Sequence, residues 1–165
     1  MNTIKIIGLG TSDVDKMPLG VYKSLKEAKT LYVRTLDHPA ISMLRDEGVK
    51  LISFDDYYES ADDFSSVYER ITETLLEKSK TTDITYAVPG HPMFYETTTE
   101  LLLKREKEAK VKVEISGGQS FIDDVITALE VPVNENFQLL DGTDLKVADL
   151  DHNKHTLITQ VYNQL

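Results

Sequence analysis

Three short stretches carry the residue types that build a ligand cleft: Gly8-Leu9-Gly10-Thr11-Ser12-Asp13, Pro89-Gly90-His91-Pro92 and Gly117-Gly118-Gln119-Ser120. Each follows an apolar run. Glycine lets a backbone turn tightly and approach a ligand without a Cβ in the way. A helix starting after such a turn offers free N–H groups to a carboxylate or phosphate. Two titratable side chains stand in these stretches. His91 is a candidate base or hydrogen-bond donor, or a residue that only ties its own loop. Asp13 either orients a substrate or caps its turn. Elsewhere the chemistry is plainer: Asp55 and Asp56 read as a solvated loop, and Tyr57 and Tyr58 as packing. His38, His152 and His155 lack ligand spacing, and with no cysteine in the chain no metal site or thiolate nucleophile is expected.

The elements that must position these stretches alternate. Thr3 to Ile7 predicts a first strand, and Pro18 opens a helix that turns Val21, Leu25 and Ala28 inward. Leu31-Tyr32-Val33 is a second strand, followed by a loop through Arg34 and His38. Pro39 then opens a helix that carries Ile41 and Leu44 and stops at Gly48. Val49 to Phe54 is a third strand, and a polar, aromatic loop, Asp55 to Tyr58, leaves it. A long amphipathic helix runs from about Phe64 to Ser79, and Ile84 to Val88 is a fourth strand, broken by the Pro89–Pro92 cluster. A helix with Leu101 to Leu103 and a solvated charged stretch, Lys104 to Lys110, leads to a fifth strand, Val111 to Ile115. Phe121 to Leu129 gives a further helix.

This β-then-α repetition predicts an α/β fold with a roughly five-stranded, parallel, doubly wound sheet whose loops converge on one edge. The last part differs: Phe137 to Leu140 and Thr156 to Tyr162 look like strands with no long helix between them. The expected organisation is therefore a domain over residues 1–130 and, over 131–165, the hinge and first strands of a second α/β domain in a piece of a longer protein.

Composition narrows the functional classes. With 165 residues, 41% hydrophobic, the chain can bury one sizeable core. No apolar run approaches the roughly 20 residues of a membrane-spanning helix, and no signal peptide precedes the first strand, so a soluble, cytoplasmic protein with no membrane partner is expected. A net charge of −10 opposes a phosphate backbone and sets nucleic acid aside as a partner. A nicotinamide or flavin dinucleotide fits poorly. Asp13 occupies the third glycine's position of G-x-G-x-x-G, and the second strand ends at Arg34 where an acid is wanted.

The order of the three glycine stretches resembles that of the tetrapyrrole (corrin and porphyrin) methylase superfamily, over nearly the whole chain. It is most similar to the methylase-like N-terminal domain of bacterial proteins fused to a MazG-type nucleoside triphosphate pyrophosphohydrolase. The family's G-x-G-P-G-D matches at Gly8, Gly10 and Asp13 but departs at Thr11 and Ser12. Its G-D-P matches at Gly90 and Pro92 but has His91 for the acid, and its P-G-x-S falls on Gly117 to Ser120 with glycine for proline. The P-G-H-P and G-G-Q-S forms resemble those of the MazG-fused branch.

The resemblance implies S-adenosylmethionine held by Gly8, Leu9, Gly10, Thr11, Pro89, Gly90, His91, Phe94, Ser120 and Phe121, with His91 and Asp13 as the candidate catalytic residues. It also implies a small-molecule ligand, a homodimer and a C-terminal MazG-type domain beyond this chain. Methyl transfer needs only in-line positioning, a dry site and sometimes a base. A second reading stands beside it: a catalytically inactive ligand-sensing or dimerisation module regulating an attached hydrolase. A third, that these residues are themselves the pyrophosphohydrolase, is rejected. Glu106 and Glu108 cannot share a helix face, and that chemistry sits on a helical bundle.

Overall fold

The computed structural model describes residues 1–60 and 63–161. The chain divides into two compact units, Met1–Phe121 and Ile122–Leu165. The division precedes the body of the helix that the sequence reading assigned to the first domain.

In the first unit, strands β1 (Thr3–Gly8), β2 (Leu31–Val33), β3 (Leu51–Ser53), β4 (Ile84–Val88) and β5 (Lys112–Ser116) form one sheet in the order β3-β2-β4-β1-β5. Every pairing is parallel, with Ile4 opposite Ile84 and Gly8 opposite Val88 in the central pair. Alternation along the strands feeds two cores. Ile4 and Ile6 of β1 and Ile84, Tyr86 and Val88 of β4 pack with Val67, Ile71, Leu75 and Leu102 on one face. Ile7, Leu9 and Ala87 pack with Val21, Leu25, Ile41 and Leu44 on the other. Helices α4 (Phe64–Ser79) and α5 (Thr97–Ala109) therefore cover the first face, and α1 (Leu19–Glu27) and α2 (Pro39–Asp46) the second. Neighbours β1 and β4 send their chains to helices on opposite faces. That is the topological switch point, where the loops part and leave a crevice at the carboxyl ends of the strands.

Local chemistry sets the element ends. Asp63 caps α4, its Oδ1 accepting from the Ser66 N–H at 2.9 Å. Gly48 ends α2 with a φ of +83°, a conformation costly for a residue with a Cβ. The edge strand β5 has one free N–H answered by α5, where Val113 donates to Glu106 Oε1 at 2.9 Å.

Several expected elements are adjusted. Pro18 precedes the helix as its N-cap instead of opening it, and a 3-10 turn, Val14–Lys16, comes first. The third strand is shorter than Val49 to Phe54, because the Val49 N–H turns back to Leu44 O to close α2. Asp55 to Tyr58 is not a loop: Asp55–Glu59 forms a short helix, α3. The buried Phe54 ring anchors it, packed edge-on against Tyr57 at 5.2 Å.

In the second unit, α6 (Phe121–Leu129, begun at the last residue of the first unit) is followed by β6 (Phe137–Asp141) and β7 (His155–Thr159). The two strands pair in parallel with only a 3-10 turn, Val147–Asp149, between them. The expected last strand reached to Tyr162, which lies outside the described residues.

Candidate functional site

At the switch point the three glycine stretches interlock through their backbones. Beyond the ladder, Leu9 N donates to Val88 O at 2.8 Å, and Gly10 and Gly90 pair antiparallel, Gly10 N to Gly90 O at 3.1 Å and Gly90 N to Gly10 O at 2.7 Å. Both glycines have positive φ, +78° and +65°. The third stretch closes on the first two. A Cβ at Gly8 would stand 2.4 Å from Gly90 O and 2.7 Å from Gly118 N, and one at Gly118 would stand 2.5 Å from Gly8 O and 2.7 Å from Gly90 O. No side chain fits there, so three loops meet at van der Waals contact of main chain.

His91 turns inward on its own loop. Its Nδ1 accepts from the Met93 N–H at 3.1 Å, and its ring lies over Gly117, where a Cβ would be 3.1 Å from Nε2. With Nδ1 accepting, the proton of the neutral ring sits on Nε2. Phe94 stands edge-on to His91 at 5.6 Å and to Phe121 at 5.9 Å, while Tyr95 stacks on Phe121 at 6.4 Å. Ser120 is buried, and Thr11 and Pro89 are half-buried beside the glycines. Leu9 differs from its companions: its side chain is sunk in the α1/α2 core, so only its backbone belongs to the cleft. Asp13 accepts from the Asp15 N–H at 3.1 Å and so caps the 3-10 turn.

The structure adds residues that sequence reasoning missed. His38 was set aside for want of ligand spacing, yet its Nε2 donates to Gly10 O at 2.9 Å while its Nδ1 accepts from the Ala40 N–H at 3.2 Å. One imidazole caps α2 and steadies the carbonyl that also accepts from Gly90. The signal was a histidine one place before a helix-opening proline. Asp55, expected to be solvated, accepts from the Leu36 N–H at 2.9 Å and pins the β2–α2 loop. Burial opposes its ionisation, but the hydrogen bonds from Ser53, Leu36 and Thr35 outweigh that and hold its pKa below the usual carboxylate range.

A second polar group lies at the ends of β2 and β4. Arg34 pairs with Glu96, and its Nε donates to the Tyr58 hydroxyl at 3.2 Å. Glu96 is only 5% exposed, and burial raises its pKa against the opposing pull of Arg34. Burial likewise opposes the charge of Arg34, but Glu96 and Tyr58 more than offset it, so the guanidinium stays firmly protonated. Tyr86, wholly buried behind them, makes no well-formed hydrogen bond through its hydroxyl among the described residues beyond a weak interaction with Thr98, and burial drives its pKa well above the usual value. Glu96 carried no signal in the sequence. It stands at the N-cap of α5 without capping it.

No helix among the described residues is long and apolar enough to cross a membrane. Comparison with known proteins places this arrangement. The family model for tetrapyrrole (corrin/porphyrin) methylases matches residues 3–163. The uncharacterized protein YabN of Bacillus subtilis (strain 168) is 43% identical over 162 residues, 98% of this chain, but the chain spans only 33% of that relative's length. Among solved structures, a diphthine synthase superposes with a TM-score of 0.65 at 23% identity, over 85% of this chain and 53% of that one. The uroporphyrin-III-C-methyltransferase of Thermus thermophilus gives 0.66 at 19% identity, over 87% and 61%. At that identity the two structures speak for the fold. With the family model matching almost end to end and the glycine stretches meeting at the sheet's switch point, the chain belongs to the tetrapyrrole methylase family.

Proposed function

We propose that this chain is the methyl-donor-binding part of an S-adenosylmethionine-dependent methylase acting on a small molecule. The observation that carries the reading is the backbone pairing of Gly10 with Gly90 at the switch point. The residues fit such a group. A Cβ at Gly90 would meet nothing within 4 Å, so the peptide there faces open space that a ligand can enter. Peptide groups of Gly10, Thr11 and Gly90 would hold the polar part of the donor, and Phe94 and Phe121 would give its apolar part a surface. When bound, the donor supplies a methyl group already activated on a sulfonium, so no protein nucleophile is required. The chain's own contribution is positioning: His38 holds Gly10 O, the interlocked glycines hold the loops, and His91 keeps a proton at Nε2 beside Gly117.

A second reading is favoured by the motif departures at Thr11, Ser12 and His91 together with a relative about three times as long. In it, the same cleft senses a metabolite for an attached MazG-type hydrolase, and a homodimer of this fold is the platform. Thermal unfolding with S-adenosylmethionine, S-adenosylhomocysteine and a nucleoside triphosphate separates the two. At 100 times Kd a ligand adds about 2.7 kcal/mol, or roughly 5–10 °C in a chain of this size. The donor reading expects that shift for the adenosyl sulfur compounds, abolished in a Gly90→Val variant that keeps its circular dichroism. A shift with the triphosphate alone would sink it in favour of the sensing module.

A further inference from the structure

We infer that Arg34 recognises an anionic group, a carboxylate or phosphate, on the second ligand of this cleft, with Glu96 as the residue that positions it. Arg34 stands where β2 ends, its N–H donating to Ala87 O at 3.0 Å, on the same sheet edge as Gly90. Its side chain places a cation on that edge in a net-acidic chain. Its geometry is that of a held fork: Glu96 takes Nη1, the Tyr58 hydroxyl takes Nε, and the Tyr58 ring lies 6.0 Å from the guanidinium carbon. Among the described residues this leaves Nη2 and its two donors, on a side chain that is still 31% exposed. A planar guanidinium pre-set in this way loses little entropy when a bidentate anion arrives.

Two further observations argue against a purely structural pair. A buried ion pair is poor value for stability, since apolar residues of similar size often do as well. The cluster also buries the Tyr86 hydroxyl, which lies within electrostatic reach of Arg34, Glu96 and Tyr58 and interacts with Thr98, although a phenylalanine would fill the same space. Next to Glu96, Tyr95 holds a φ of +56°, a left-handed conformation that a bulky residue rarely adopts. Backbone strain of this kind gathers where a loop is held for binding.

The inference takes its place in the cleft from the reading above, but its test does not depend on the methyl donor. Inorganic pyrophosphate and citrate are the probes, titrated at constant ionic strength by calorimetry, with and without S-adenosylhomocysteine. Saturable binding of one of them to the native chain is expected, the phosphate or the carboxylate arm naming the group. Because Arg34→Met alone leaves Glu96 buried and unpaired, the decisive variant is the double Arg34→Met/Glu96→Gln, checked for fold by circular dichroism. It should weaken binding at least tenfold. Glu96→Gln alone should tighten it several-fold, because the competing carboxylate is gone while the fork remains. Arg34→Lys should lose most of the affinity. Native-like binding in the double variant, no gain in Glu96→Gln, or no binding of either probe to the native chain overturns the inference. Failure of S-adenosylhomocysteine alone removes the donor reading and leaves this one standing.

Discussion

The loop between β4 and α5 is gripped at both ends by unlike means. At Gly90 it is held by main chain against main chain, three glycines so close that a Cβ at Gly8 would stand 2.4 Å from a carbonyl oxygen. At Glu96 it is held by charge, a buried carboxylate against Arg34 with Tyr58 alongside. The first grip is steric and insensitive to pH or salt. The second depends on ionisation and desolvation. One loop thus has a fixed end at the crevice and an adjustable end beside it.

Breaking the steric end should have the largest effect. Gly8→Ala drives a methyl group into the backbones of Gly90 and Gly118 and the Pro92 ring, and a loss of about 3 kcal/mol or more, read by urea unfolding, is expected. Gly10→Ala sharpens the point. Its Cβ would meet nothing nearer than 3.7 Å, so only the positive φ is penalised, at about 1–2 kcal/mol.

Breaking the charged end comes next. Arg34→Met strands Glu96 in the interior and should cost about 3 kcal/mol, most of it recovered in the double variant with Glu96→Gln. Recovery in the double but not in the single variant marks the loss as an unpaired charge instead of lost packing.

A pH series separates the ends further. Burial raises the folded-state pKa of Glu96, so its protonation favours the folded form. That contribution is complete below the unfolded carboxylate range and fades as pH rises through the raised folded value. The stability gap between the native chain and Glu96→Gln should therefore narrow from pH 4 upward, while the gap for Gly8→Ala stays flat. Parallel profiles for the two variants would erase the distinction. The smallest effect is Tyr86→Phe, which removes a buried hydroxyl held only weakly, by Thr98, and should stabilise the chain by at most about 1 kcal/mol in thermal melts.

The parts that were legible follow from local rules. Strand β4 from Ile84 to Val88 and helix α4 from Phe64 to Ser79 appear where their apolar period and breakers put them. The alternation of such elements led to the parallel sheet. The short helix α3 was missed because Asp55 to Glu59 has no apolar period of its own, and burial of Phe54 and contact with Tyr57 stabilise the turn. Among the site residues, glycines announced themselves by type. His38 and Glu96 did not, since each works through a partner far away in the chain, Gly10 and Arg34.

What the sequence by itself determined is the strands, the long helices and the breakers, and that glycine-bearing turns follow β1, β4 and β5. Those depend on side-chain period and backbone freedom within a few residues. Only the tertiary structure decided that β4 lies beside β1, so that Gly10 and Gly90 pair, Gly118 closes over Gly8, and a carboxylate before α5 meets a guanidinium after β2. Strand order and buried polar pairing are set by contacts between residues distant in sequence, whose energies no local window of the chain contains.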